Sequence, residues 1–477
     1  MNPVATHIAS LIGLPPRLAL FLTLAFIVFL FRRDIRERPN VSGALWLPLI
    51  WLLFCCSRPF SEWLRIFGLP VSVSASNEEG SPVDAAFYYT IATAGLFVLI
   101  KRQVSLPEVL QRNGWLVAFI AYCFISAVWS DYPFIAFRRA TKVLGHPIMA
   151  LIVLTEPDFE EALKRLLKRC AYVVVPVSIL WIRYYPWLGI SYDEWSGAPV
   201  VHGIAPGKNG LGADCLVLGF FFFWHFLQTR RTERNTQRRN ELWLIAGFSI
   251  GILYLFRLSH SAAATIALFA AILLVLFIGW RPTIRNFIGT YMLTALVLLA
   301  AAQLAFGISG LLSQSLGRGS TLTGRTELWA HCLAVQSSPI LGEGFQSFWL
   351  PERRDRIAEF YKNWHVGSAH NGYLETYLDL GLIGLSILIG LFIATYWKIR
   401  SELVRNFELG RYRLGFFVAV VLRGWTETTF HPGSPLWFVF YIIAMDYPVT
   451  YLTAGRPSVG VASSEESREF AYAEEEL

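Results

Sequence analysis

The stretch GSAHNGYLETYLDLGLIGLSILIGLFIATY, residues 367–396, passes from a polar turn into a run long and apolar enough to cross a bilayer. It puts an imidazole, His370, at a membrane surface. Histidine exchanges a proton near neutral pH, and Asn371 and Glu375 fall one helical turn apart if a helix begins here, so the pattern describes a candidate base with neighbours to orient it. Taken alone, the same residues also describe a polar helix cap ahead of a transmembrane span.

The rest of the chain resembles the second half of this stretch. Of its 477 residues 55% are hydrophobic and 16% charged, against roughly 45–50% and about 25% in soluble globules. A polytopic membrane protein follows. After a first run at 18–31, which has no small-residue cleavage site behind it and reads as an uncleaved membrane segment, apolar runs recur. They lie at 42–57, 84–100, 115–129, 143–155, 171–189, 211–228, 241–256, 262–280, 287–306, 373–396, 414–430 and 436–454. The expectation is an all-α transmembrane helical bundle of about 12–13 spans, with 143–155 too short to cross untilted. The six cysteines show no zinc or disulfide spacing and read as packing residues.

The loops at 32–40, 101–114, 156–170, 229–240, 281–286 and 397–413, with the tail, carry 25 of the 41 Lys and Arg residues. By the positive-inside rule they are cytoplasmic, which turns the 307–372 loop and His370 outward. The acidic end of the tail reads as disordered. The 66-residue outward loop is rich in aromatic residues, among them Trp329, Phe345, Trp349 and Trp364, and is expected to fold as a partly helical cap on the membrane domain. Within it, Thr321-Leu-Thr-Gly-Arg-Thr-Glu-Leu-Trp329 reads as a helix start near Thr323 or Gly324 with Arg325 in the first turn. An arginine there opposes the helix dipole unless an anion lies nearby, so it suits a phosphate clamp; a solvated surface arginine is the plain alternative.

Gly324-Arg-Thr-Glu-Leu-Trp329, Ser338-Pro-Ile-Leu-Gly-Glu-Gly-Phe345 and Ala369-His-Asn-Gly-Tyr-Leu-Glu375 running into Asp379-Leu-Gly-Leu-Ile-Gly384 together resemble the bacterial O-antigen ligase and polymerase superfamily. Ala127-Val-Trp-Ser-Asp-Tyr-Pro133 with Arg138-Arg139, and Gly203-Ile-Ala-Pro-Gly-Lys-Asn-Gly-Leu-Gly212, extend the resemblance over roughly residues 115–396, and the N-terminal part is weakly similar to exopolysaccharide polymerases. The resemblance implies a membrane glycosyltransferase on the periplasmic face of the inner membrane. Its donor would be an undecaprenyl-diphosphate-linked glycan and its acceptor a sugar hydroxyl, on a second lipid-linked repeat in a polymerase or on the lipid A core in a ligase. It also implies partners such as a chain-length regulator and a flippase. By position, His370 matches the family's proposed base and Arg325 an arginine proposed to hold the diphosphate, with Asn209, Asn371, Tyr373 and Glu375 in support. The implied division is N-terminal helices at 1–114, a catalytic membrane domain at 115–454 and a tail at 455–477.

One position departs from the family. In Leu255-Phe-Arg-Leu-Ser-His-Ser-Ala-Ala263, His260 stands where the family often has arginine, which leaves the second diphosphate ligand to His260, Arg257, Arg318 or Lys208. Arg257, in an apolar run, is expected to face the bundle interior or a polar cavity. Near the last outward loop, Glu427 and His431 read as helix capping or interfacial anchoring. A lipid-linked glycan flippase or other transporter is the main rival, opposed by the absence of an internal repeat; a non-catalytic assembly partner is a third reading. No Asp-x-Asp, Walker, His-Glu-x-x-His or Gly-x-Ser-x-Gly motif is present, and nothing in the sequence calls for a metal, a cofactor or nucleic acid.

Overall fold

The computed structural model describes residues 13–71, 80–193, 197–280, 321–360 and 367–447. Its elements are α1 (Pro16–Arg36), a 3-10 turn into α2 (Trp46–Cys55), α3 (Phe60–Ile66), α4 (Pro82–Lys101), α5 (Leu106–Arg112), α6 (Gly114–Ile125), α7 (Pro133–Val143), α8 (Gly145–Leu154) and α9 (Phe159–Tyr184). A one-turn α10 (Pro186–Gly189) and a small hairpin, β1 (Ile190–Tyr192) with β2 (Pro199–Val201), precede α11 (Lys208–Thr229), α12 (Thr236–Ser259) and α13 (Ala262–Trp280). Then come α14 (Thr321–Val335), α15 (Pro351–Phe360), α16 (Gly372–Arg405), α17 (Phe407–Thr426) and α18 (Pro435–Ala444). Each expected apolar run falls on one of these helices, except 287–306, which lies outside the described residues along with Arg318, Trp364 and the tail.

Among the described residues, α4, α11, α12, α13 and α16 are long and apolar enough to cross a membrane, and two sharply bent pairs bring the number to as many as seven. That is fewer than the apolar runs, for a physical reason. Several other long helices carry charges within their own length: α9 opens with three turns of Glu, Lys and Arg before its apolar half, and α17 buries Arg411, Arg413 and Arg423. The short run at 143–155 stays short. α8 has 10 residues, about 15 Å of helix against a hydrocarbon core of about 30 Å, and all but the half-buried Pro147 are buried in protein rather than facing lipid.

The bundle is organised around α11, of whose most apolar window 78% is buried, against 17% for the peripheral α4. α18 is short but buried along its whole length and packs with α8, α11 and α17, while Trp437 and Phe440 lie against Phe392 of α16 and Tyr441 against His146 of α8. Helices from both sides of residue 114 share this one core. Small residues set the close approaches: Gly145 lies against the ring of Trp51 and Gly390 against that of Trp115. At the end where α1 finishes and α9 and α12 begin, buried ions are paired. Asp34 receives Arg165 at 2.7 Å and Arg169 at 2.8 Å, and Glu241 receives Arg33, Lys168 and His225. Unpaired, such charges would be prohibitively costly in a bundle core.

At the other end, the described part of the long loop forms a cap with a small core of its own. Leu328 and Cys332 of α14, Phe348, Ile357 of α15 and Leu378 of α16 pack together. α14 begins at Thr321, two or three residues before the expected start, which moves Arg325 from the first turn to the opening of the second. The cap is fastened to a break in α16. At Gly381 the chain takes φ 65° and ψ −167°, a conformation open essentially to glycine alone, and the freed backbone groups pair with the 339–344 segment. Gly344 N–H donates to the Asp379 carbonyl at 2.8 Å, and Leu382 N–H to that of Pro339 at 2.9 Å. A Cβ at Gly381 would lie 2.2 Å from the Ile340 carbonyl oxygen. Gly381→Ala therefore combines about 1–3 kcal/mol of backbone strain with a backbone clash. Purified in detergent, that variant should melt well below wild type, and an unchanged melting temperature would show that the cap is not held through this break.

Candidate active site

The turn before α16 presents His370. Asn371 caps the helix, its side-chain oxygen accepting the N–H groups of Tyr373 at 3.0 Å and Leu374 at 3.1 Å, which fixes where the helix begins. His370 itself has φ 51°, a left-handed conformation that costs a non-glycine residue about 1–3 kcal/mol and persists only where its surroundings impose it. They do so here from several directions. Trp329 Nε1 donates to the Ala369 carbonyl at 2.8 Å, Ala369 N–H to Glu375 at 2.5 Å, and His370 N–H to Ser368 Oγ at 3.0 Å. Gly372 N–H reaches the Glu427 carbonyl at 3.1 Å, and the hydroxyls of Ser368 and Thr428 lie 2.6 Å apart. The cap, α16 and the loop after α17 thus jointly hold one histidine.

The carboxylate of Glu427 lies at the centre. Its Oε2 is 3.3 Å from His370 Nδ1, and its Oε1 accepts Asn209 Nδ2 at 2.8 Å and Arg325 Nη2 at 3.4 Å. Arg325 also donates to the Thr426 carbonyl at 3.0 Å. A second guanidinium, the buried Arg423, donates to the Asn209 carbonyl at 2.8 Å. Burial alone would raise the Glu427 pKa. The hydrogen bond from His370 and the charges of Arg423, His370 and Arg325 outweigh it and hold the carboxyl below its ordinary range. An ionised Glu427 accepts the Nδ1 proton of neutral His370 and leaves Nε2 as the free basic nitrogen. The His370 side chain is 41% exposed and that of Arg325 31%, so both remain open to a ligand while Glu427 is enclosed.

The structure brings together His370, Arg325 and Asn209, residues 45 or more apart from one another in the chain, with Asn371 and Glu375 as positioning groups. Tyr373 lies beneath them: its hydroxyl donates to the Val421 carbonyl at 3.0 Å and its ring packs on Phe430. Arg257 does not face the interior as expected. It is exposed on α12, where a long side chain keeps its charge out of the packed core, and His260 is exposed at the left-handed residue that closes the same helix. Lys208 is exposed at the first position of α11, one residue from Asn209. The buried guanidinium beside Glu427 is Arg423.

Glu427 had read as a cap or anchor, and it does follow the last residue of α17, but its side chain is the hub of the cluster. Nothing local in the sequence signals this; the one available sign was an arginine and a glutamate four residues apart at the outward end of an apolar run. His431 keeps a local role, its Nδ1 accepting the Gly433 N–H at 3.2 Å, and burial depresses its pKa to about 4.

Against known proteins, residues 244–389 match the family model described as O-Antigen ligase. The chain is also 26% identical, over 348 residues, to the "Exopolysaccharide production protein ExoQ" of Rhizobium meliloti (strain 1021), a match that covers 69% of this chain and 76% of the relative.

Because the Glu427 carboxyl is held below its ordinary value of 4.5, the stability it contributes is fully present above that value and is lost only as pH falls through the depressed one. His431 adds a separate loss between 6.5 and about 4, since burial keeps it neutral in the folded state. Melting curves of wild type and Glu427→Gln share the histidine limb, so their difference isolates Glu427. The gap should persist at pH 4.5 and close further into acid; a gap that has already closed above 4.5 would contradict the arrangement.

Proposed function

We propose that this chain, a membrane protein similar to enzymes of the O-antigen ligase and polymerase superfamily, is a glycosyltransferase that polymerises O-antigen or exopolysaccharide repeat units. Donor and acceptor would be undecaprenyl-diphosphate-linked glycans, and the site would lie on the periplasmic face of the inner membrane. One observation carries this reading: His370 and Arg325 are held by the same largely enclosed carboxylate, so a base and a cation sit side by side.

Diphosphate is a good leaving group, so the reaction asks mainly for removal of the acceptor proton and neutralisation of the departing charge. His370 Nε2 takes the proton of an acceptor hydroxyl as its oxygen bonds to the anomeric carbon. The bond from that carbon to the diphosphate oxygen breaks, and the lipid diphosphate leaves with both electrons. Arg325, partly exposed, meets the growing negative charge, while Arg423 keeps the surroundings positive from beneath. Glu427 stabilises the imidazolium that forms and keeps the ring in its working orientation. Attack opposite the leaving group inverts the anomeric centre. The polyprenyl tail requires an apolar path to the site, which a site at the end of a membrane bundle provides.

Orientation rests on the arginine-rich loops, whose positive-inside bias supports an outward-facing His370 end. The name of the Rhizobium relative favours exopolysaccharide repeats over ligation to lipid A core; the ligase is the second reading, because the matching family model is described by that activity.

In a deletion strain, wild type should restore long chains. His370→Gln should cut transfer by about 100- to 10,000-fold and Arg325→Gln by about 100- to 1,000-fold, leaving single repeats on the carrier at normal membrane levels of protein. Long chains that accumulate on the carrier without reaching lipopolysaccharide would identify a ligase instead, and full activity of His370→Gln would refute the assignment. Determination of the new linkage by NMR should give the anomer opposite to that of the donor; retention would rule out direct attack.

A further inference from the structure

Beside the His370 turn, between the cap and the first turns of α16, lies a cavity of about 500 Å³. Its lining includes Gly367, Ser368 and Gly372, which flank His370 in sequence, and Thr428, the neighbour of Glu427. Phe345, Trp349, Glu375, Asp379, Arg139 and Arg354 form the rest of the wall that matters chemically. The cavity falls within the range of small-ligand sites, roughly 300–1,000 Å³. The proposed reaction assigns it nothing.

Its chemistry selects the occupant. Glu375 and Asp379 are both buried. The Glu375 carboxyl is met by Ala369 N–H, Trp349 Nε1 at 2.8 Å, Thr428 Oγ1 at 3.4 Å and the Ser368 hydroxyl, while Asp379 is met by the backbone N–H groups of Phe348, at 3.2 Å, and Gln346. A carboxyl group offers about four lone-pair sites, so Glu375 is filled by the protein whereas Asp379 can also take a hydroxyl. Trp349 is half-buried and its ring is held by its bond to Glu375, an aromatic wall with a fixed orientation. Arg139 donates to the Gln346 carbonyl and Arg354 to Asp355, so the cations on this wall are already engaged.

A diphosphate is better met at Arg325, the partly exposed guanidinium of the Glu427 cluster, than between two buried carboxyls. A lipid tail would favour the two hollows of about 600 and 710 Å³ elsewhere on the bundle, lined almost wholly by apolar residues such as Phe248 and Leu253. Carboxyls facing an aromatic ring suit a molecule that is uncharged, rich in hydroxyls and apolar on one face. We infer that this cavity is the acceptor-sugar subsite: it takes the terminal residues of the acceptor glycan, with a hydroxyl on Asp379 and a sugar face on Trp349, which Glu375 holds in place, and so presents the attacking hydroxyl at the His370 turn.

The inference rests on the proposed transfer reaction, but its test does not require turnover. The probe is the oligosaccharide repeat released from the host's own extracellular polysaccharide, without lipid or diphosphate. It is titrated by calorimetry into the full-length protein in detergent. Wild type and His370→Gln should bind it with the same Kd, whereas Asp379→Asn and Trp349→Phe should weaken binding at least tenfold. In the transfer assay, Trp349→Phe should raise KM for the acceptor with little change in kcat. Equal affinity in all the cavity variants, or no binding to wild type, would overturn the subsite. Either result would leave the loss of transfer in His370→Gln standing, so failure of the subsite is distinguishable from failure of the reaction.

Discussion

A carboxylate largely enclosed at the end of a membrane bundle has to be surrounded by donors, and the Glu427 carboxylate gathers His370, Arg325 and Asn209 from three separate stretches of chain, with the buried Arg423 close behind. Much of the architecture follows from that requirement. α17 must end at Thr426 so that Glu427 can turn in. α11 must begin at Lys208 for Asn209 to reach it, and α14 must dock for Arg325 to arrive. Each arrival neutralises part of a charge that would otherwise have to be protonated or solvated. Because the same groups are the ones a diphosphate-linked substrate requires, the stability of the cluster and its chemistry depend on one set of contacts.

The cap shows how a loop acquires a fixed position without a long element of its own. Breaking α16 at Gly381 releases backbone groups about two and a half turns beyond the catalytic turn, and the 339–344 segment takes them up. This pairing leaves Glu375 and Asp379 between cap and bundle, where their carboxyls bind backbone N–H groups of the cap. The strained φ of His370 is the local cost of this assembly, and the bonds from Trp329, Ser368 and Gly372 hold it in place. A flexible loop could carry the same residues but would spend binding energy on ordering them.

The two ends of the bundle deal with charge differently. At the end opposite the site, Asp34 and Glu241 are fully matched by arginines, lysine and histidine, which fixes α1, α9, α11 and α12 against each other. At the site, His370 and Arg325 remain partly exposed around an enclosed glutamate, so their charge is available. One end is closed by ion pairing, the other is left short of an anion.

Period and composition alone determined that this chain is a helical membrane protein, because apolar runs of spanning length admit little else in a bilayer, and the run at 373–396 located the histidine at a surface. The His-Asn-Gly turn was legible as a cap because an asparagine side chain satisfies free N–H groups only from that position. The partner of that histidine was not legible. Glu427 lies 57 residues away beside no motif, and the second cation was sought at His260, Arg257, Arg318 or Lys208 rather than at Arg423, since a hydropathy pattern gives the depth of a residue but not the direction it faces. Only tertiary packing decides direction: Arg257 is exposed on α12 and Arg423 is buried in α17, because only at Arg423 does the fold supply a carbonyl and a carboxylate to offset burial of the charge.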